Sequence, residues 1–264
     1  MADDGVKAFD LVIFDWAGTM VDFGCRAPIA ALVEAFSRQG VTLEESGARA
    51  DMGKAKVDHV RALLARPEVR SAWIAANGVA PGEAAVTALM EALGPLMRDA
   101  AAEAAELIPG AAETVSALRS AGLRIGSSTG YSPEMMAPVL ERAAAQGYAP
   151  DHLVCAGQTP AGRPSPLMIY KACADLGVWP LSRVVKVDDS EAGIEEGRAA
   201  GCFTVGISAS GNGLGLSKDA LAALAPADRA ARIAAVETRL RAAGADRVVE
   251  TVADLVPLLN EARG

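Results

Sequence analysis

Six short apolar runs, separated by stretches of helix length or more, constrain this chain's fold more than any other feature. They are Leu11-Val12-Ile13-Phe14, Leu123-Arg124-Ile125-Gly126, Leu153-Val154-Cys155, Val184-Val185-Lys186-Val187, Phe203-Thr204-Val205-Gly206-Ile207 and Arg247-Val248-Val249. Each reads as a strand of a largely buried sheet. Between the first two, Ala111 to Ala121 has helical character, with Gly122 as its stop signal. Strands that alternate with helices build right-handed βαβ units and a mostly parallel sheet. The expected class is α/β: a Rossmann-like parallel sheet core with helices on both faces.

One region breaks the alternation. From about Pro28 to Glu106 no strand pattern occurs, and apolar residues recur at helical spacing in Ile29-Leu32-Val33-Phe36 and in Val60-Leu63-Leu64. This predicts an inserted all-helical cap domain over 25–106, set into a core domain made of 1–24 and 107–264. Phe23-Gly24 and Leu107-Ile108-Pro109-Gly110 are the expected hinges. An insert that leaves and re-enters beside a catalytic loop is placed to act as a lid. Ala220 to Ala245 reads as alanine-rich helices with no chemical signature, assigned to packing.

The formal net charge of -8 argues against nucleic acid as a partner, because a binding face needs clustered Lys and Arg. No apolar run approaches the roughly 20 residues that span a bilayer. The start, Met1-Ala2-Asp3-Asp4, lacks the basic region of a signal peptide, so the expected location is the cytoplasm. The four cysteines, Cys25, Cys155, Cys173 and Cys202, form no Cys-x-x-Cys pair and there are only two histidines, which argues against a structural zinc site. Buried free thiols are the expectation, with Cys25 set apart by its closeness to Asp15.

Chemistry-bearing residues cluster at predicted strand ends. Asp15 follows the first strand, Thr129 the second and Asp188-Asp189 the fourth, while Arg163 lies in the loop after the third. Open α/β sheets bind ligands beyond the carboxyl ends of their strands. Carboxylates there can hold a hard cation such as Mg²⁺, a hydroxyl and a guanidinium can hold phosphoryl oxygens, and a carboxylate can attack phosphorus. Ala17 is the odd residue. An alkoxide leaving group needs a proton donor, and an acid two residues beyond the nucleophile would supply it. Inside the helical segment, Lys56 and His59 are three residues apart and share a helix face with Met52. A lysine attacks a carbonyl only when neutral, so burial must favour that form, and apolar Met52 can contribute to it. His59 can move protons near neutral pH. Lys54 is a competing amine.

These motifs, Asp15-Trp16-Ala17-Gly18-Thr19, Ser128-Thr129-Gly130-Tyr131, Gly162-Arg163-Pro164 and Lys186-Val187-Asp188-Asp189, resemble the four ordered motifs of the haloacid dehalogenase superfamily. With Met52-Gly53-Lys54-Ala55-Lys56-Val57-Asp58-His59 they resemble its phosphonatase branch more narrowly. The resemblance implies cleavage of the carbon–phosphorus bond of phosphonoacetaldehyde, in 2-aminoethylphosphonate degradation, giving acetaldehyde and phosphate. It implies a Schiff base on Lys56, an aspartyl phosphate on Asp15, and catalytic roles for His59, Thr129 and Arg163. It further implies Mg²⁺ held by Asp15, the Ala17 carbonyl and Asp189, a substrate pocket of Cys25, Met52, Gly53, Gly130 and Tyr131, and a homodimer. The superfamily usually has an acid four residues beyond the metal aspartate, where this chain has Gly193; register favours Asp189 over Asp188 as the ligand. The alternative reading is a phosphate-ester phosphatase or phosphomutase of the same superfamily.

Overall fold

The computed structural model describes residues 8–261; the acidic start, Met1 to Asp4, lies outside them. Six strands, β1 (Leu11–Phe14), β2 (Arg124–Thr129), β3 (His152–Cys155), β4 (Val184–Asp188), β5 (Phe203–Ile207) and β6 (Arg247–Val249), form one sheet in the order β3-β2-β1-β4-β5-β6. Every pairing is parallel. β1 is central and all four of its side chains are buried. A parallel sheet covered on both faces requires such unbroken apolar runs, which is why the strands are visible in the sequence.

Two strands extend past their expected ends. β2 runs on through Thr129 and β4 through Asp188, because Gly126 to Thr129 pair with His152 to Cys155 and Asp188 pairs with Gly206. Thr129 and Asp188 therefore sit on the last rung of the sheet rather than in a loop. Strand order reverses at β1, so β1, β2 and β4 converge where ligands usually bind.

Five helices, α1 (Ala27–Ser37), α2 (Glu45–Arg49), α3 (Lys56–Ala65), α4 (Pro67–Asn77) and α5 (Glu83–Glu103), follow β1 with no strand among them. Their apolar stripes meet in one interior, where α1 packs along α5 and α3 against α4 and α5. The two connectors run side by side: Val21 bridges Leu107, Asp22 N–H donates to the Glu106 carbonyl at 3.3 Å and Ile108 N–H to the Met20 carbonyl at 2.8 Å. The Asp22 carboxylate then accepts from the Arg26 and Ala27 amides at 3.0 and 2.9 Å, satisfying the otherwise unpaired amides at the start of α1.

The remaining helices are α6 (Ala111–Ser120), α7 (Pro133–Ala145), α8 (Leu167–Leu176), α9 (Glu191–Ala200), α10 (Lys218–Ala222), α11 (Pro226–Ala243) and α12 (Leu255–Glu261). α9 starts where β4 ends, and its N-cap Ser190 hydroxyl accepts from Gly193 N–H at 3.2 Å. The alanine-rich stretch from Ala220 is covered by two helices, α10 and α11. Pro226 has no N–H to donate and instead occupies the first turn of α11. All four cysteines are buried and free. No helix among the described residues is long and apolar enough to cross a membrane.

Candidate active site

Asp15 stands one residue past β1, its amide bound to the Val187 carbonyl at 3.0 Å, so the β1–β4 ladder holds its backbone. Arg163 reaches it from the loop after β3. Nη1 donates to Asp15 Oδ1 at 2.8 Å, Nη2 to the Ser128 carbonyl at 2.6 Å and to Ser128 Oγ at 3.0 Å, and Nε to Glu196 Oε2 at 2.9 Å. Asp188 Oδ2 lies 3.3 Å from Nη1 of Arg163 and 2.9 Å from Lys186 Nζ. Lys186 also donates to Ser128 Oγ at 2.9 Å. Thr129 Oγ1 accepts from the Tyr131 amide at 3.2 Å, fixing the turn after β2.

Asp15, Asp188 and Asp189 are buried and offer oxygens within 4.8 Å of one another. Burial, then the charge of Asp188, push the Asp15 carboxyl up to about 6 against the pull of Arg163 and Lys186. Burial, then Asp15 and Asp188, hold Asp189 well above the usual carboxylate range. Asp188 is also buried, but Arg163 and Lys186 keep it below that range. The three acids are thus unequal. Asp188 already has two cationic partners, whereas Asp189 has none among the described residues and accepts from the Asn212 amide at 2.6 Å and, at 3.5 Å, from Thr19 Oγ1. Asp189 is thus the acid left without a cation beside it, and its oxygens with those of Asp15 are hard donors that fit a divalent cation.

The helical segment closes over this edge. Gly130 is the point of closest approach: a Cβ there would come within 2.8 Å of the Lys54 carbonyl. Asp15, Ala17, Cys25, Met52, Gly53, Lys54, Lys56, Thr129, Gly130, Tyr131, Arg163, Asp189 and Ser190 line one cavity of ≈ 20 Å³, room for about one water. The structure thus gathers every residue expected at the site except His59 around one cavity.

Lys56 opens α3 and points into it. Its Nζ lies 3.4 Å from Met52 Sδ and 5.6 Å from the centre of the Tyr131 ring. Burial drives its pKa down to about 8, although Cys25 and Asp15 oppose the fall. Lys54 differs: it is part-exposed and paired with Asp51 at 2.6 Å, so Lys56 is the amine that meets the requirement for a neutral form. His59 lies one turn along α3, fully buried and not among the residues that line the cavity. Burial and the Lys56 charge push it down to about 3, which makes it a neutral imidazole at physiological pH. Cys25 lines the cavity as an inert thiol, raised well above its usual range by burial and then by Asp189.

Glu196 escaped the sequence reading. It sits in Glu195-Glu196-Gly197-Arg198, which looks like a solvated helix face, yet it is fully buried. The missed signal is Gly197: a Cβ there would press on Lys186 and Thr204 at 2.8 Å, so its absence lets α9 lie against β4 and β5 and carries Glu196 inward.

A parallel sheet with three buried acids gathered at its carboxyl edge and a helical segment inserted after β1 defines a class. Residues 9–201 match the model of the haloacid dehalogenase-like hydrolases, and the chain belongs to that family. It is 48% identical over 254 residues to the phosphonoacetaldehyde hydrolase of Paraburkholderia phytofirmans, covering 96% of this chain and 95% of that protein. It is 40% identical to the Bacillus cereus enzyme of the same name, with 93% of each covered. A phosphonoacetaldehyde hydrolase-like protein from Oleispira antarctica superposes with a TM-score of 0.95 at 38% identity, covering 96% of this chain and 92% of that one. Within the hydrolases, the chain belongs to the phosphonoacetaldehyde hydrolase family.

Proposed function

We propose that this chain hydrolyses phosphonoacetaldehyde to acetaldehyde and phosphate through an imine on Lys56 and an aspartyl phosphate on Asp15. One observation carries the reading: a buried amine with a depressed pKa and a buried carboxylate share one closed cavity, each supplied by a different part of the chain. A phosphate-ester hydrolase needs no such amine.

The amine adds to the aldehyde carbon, and loss of water leaves a protonated imine. When the carbon–phosphorus bond breaks, its electron pair flows into that imine as an enamine. Asp15 takes the phosphoryl group, its carboxylate aimed by Arg163. Water then cleaves the acyl phosphate, and protonation and hydrolysis of the enamine free Lys56. No oxygen leaving group forms at the first cleavage, which accounts for Ala17 where an acid would otherwise stand. Thr129 and the Gly130 backbone hold phosphoryl oxygens.

Asp15 and Asp189, with the Ala17 carbonyl, would hold Mg²⁺, which supplies charge neutralisation for the transferring phosphoryl group. Residues 25–106 act as the cap over a core of 1–24 and 107–264. Because the cavity is so small, the cap must lift to admit substrate. A cytoplasmic homodimer is the assembly this reading implies.

The test is chemical. Incubation with phosphonoacetaldehyde and borohydride should inactivate the protein and leave a two-carbon adduct on Lys56 by peptide mass spectrometry. Asp15→Ala should abolish phosphate release and still form an adduct on Lys56, one that keeps its phosphonate group because the carbon–phosphorus bond is uncut. A fully active Lys56→Ala protein would refute the mechanism.

A further inference from the structure

The loop after β5, Ser210-Gly211-Asn212-Gly213-Leu214-Gly215-Leu216, contributes no atom to the wall of the catalytic cavity. It is nonetheless shaped around one side chain from the helical segment. Arg49, the last residue of α2, donates from Nη1 to Asn212 Oδ1 at 3.2 Å and to the carbonyls of Gly24 and Cys25 at 3.0 and 3.3 Å. Its Nη2 donates to the Gly215 carbonyl at 3.3 Å. Asn212 returns a bond from Nδ2 to the Arg49 carbonyl at 3.1 Å. One guanidinium thus joins the cap helix, the junction of core and cap at Gly24-Cys25 and the core loop.

The fit is steric as well as polar. Gly215 has φ +67°, and a Cβ there would lie 2.5 Å from Cζ and Nε of Arg49. Only glycine allows both that backbone and the flat approach of the guanidinium. The same loop holds the catalytic edge, because the Asn212 amide donates to Asp189 Oδ2 at 2.6 Å. Three residues past Arg49, Met52 touches Lys56. An open cleft of ≈ 600 Å³ runs beside the contact, with Arg49, Met52, Lys54 and Asn212 in its walls.

We propose that Arg49 seated on the 211–216 loop is the latch of the closed cap, a positioning contact that brings Lys56 into the cavity and couples closure to the placement of Asp189. When the cap lifts, these bonds break and water replaces them. When it closes, Asn212 is gripped on its side chain by Arg49 while its amide keeps hold of Asp189. Several charge-assisted hydrogen bonds at a part-buried site bias such an equilibrium by about 10- to 100-fold. The proposal rests on reading the helical segment as a mobile cap, but its test needs no substrate, so it stands or falls apart from the assigned reaction.

The experiment compares the rate at which trinitrobenzenesulfonate modifies Lys56 in the wild-type protein, Arg49→Ala, Asn212→Ala and Gly215→Ala, read residue by residue by mass spectrometry. Exposed Lys218 serves as the internal control. Lys56 labelling should rise about tenfold or more in each variant while Lys218 is unchanged, and kcat/KM should fall by a matching factor. The Arg49→Ala/Asn212→Ala double variant should be no worse than the more affected single variant, because both break one contact. Gly215→Ala guards against a folding artefact, since it blocks seating from the core side and leaves Arg49 intact. Unchanged Lys56 labelling in folded variants overturns the proposal. So does failure of all three to fold, which would make the contact a folding element rather than a latch.

Discussion

Lys56→Met should abolish turnover and make the protein more stable at neutral pH. Lys56 is 5% exposed and its pKa falls from 10.5 to about 8, chiefly through burial. At pH 7 about one amine in ten is neutral, against about one in three thousand in water, so folding raises the reactive fraction some 300-fold. The same displacement opposes folding by about 3 kcal/mol, because the protonated amine is more stable in the unfolded chain. The sign follows from the lowered folded pKa. Below pH 8 the full penalty applies; as pH rises from 8 to 10.5 the unfolded chain binds more protons than the folded one, and stability recovers. Lys56→Met removes the penalty with a side chain of similar length. Urea unfolding at pH 7 should show a gain of about 3 kcal/mol with an unchanged m value, and at pH 10.5 the gain should nearly vanish. For the wild-type enzyme, kcat/KM should climb about tenfold per pH unit below 8 and then level. Equal stabilities at pH 7, or a gap independent of pH, would refute the claim that burial keeps this amine reactive.

Two further substitutions probe neighbouring groups. Met52→Glu puts a carboxylate where Sδ lies 3.4 Å from Nζ, so the activity profile should move about one to three pH units alkaline, with activity recovered at high pH; an unmoved profile would show that Met52 does not set the amine. Glu196→Gln removes a buried negative charge 2.9 Å from Arg163 and 3.4 Å from Lys186, which should lower stability by about 3 kcal/mol in thermal unfolding and reduce kcat more than it raises KM, as Arg163 loses its Nε anchor.

The acid that the superfamily usually carries four residues beyond the metal aspartate has a structural counterpart here. A Cβ at Gly193 would overlap the Asp188 carboxyl group, so the two positions compete for one space. Asp188 fills it, bound to Arg163, Lys186 and the Ser190 hydroxyl. The Gly193 that looks like a lost acid in the sequence is thus the room that Asp188 needs.

The sequence alone determined the sheet and the residues that stand at its carboxyl edge. Strands buried on both faces must be apolar throughout, as β1 is, and ligand-binding residues must follow such strands, as Asp15, Thr129, Asp188 and Asp189 do. The helical segment was legible for a related reason, since a long stretch with helical spacing and no strand pattern cannot join the sheet. Only the tertiary structure decided the electrostatics. Lys56 and Lys54 are alike as letters, yet one is buried beside Met52 and the other is paired with Asp51 near solvent. Glu196 and Arg49 look like surface charges until α9 packs on the sheet and α2 meets the 211–216 loop. Periodicity is a local property of the chain and can be read along it. Desolvation and charge pairing depend on which distant segments exclude water together, and that is settled only when the chain has folded.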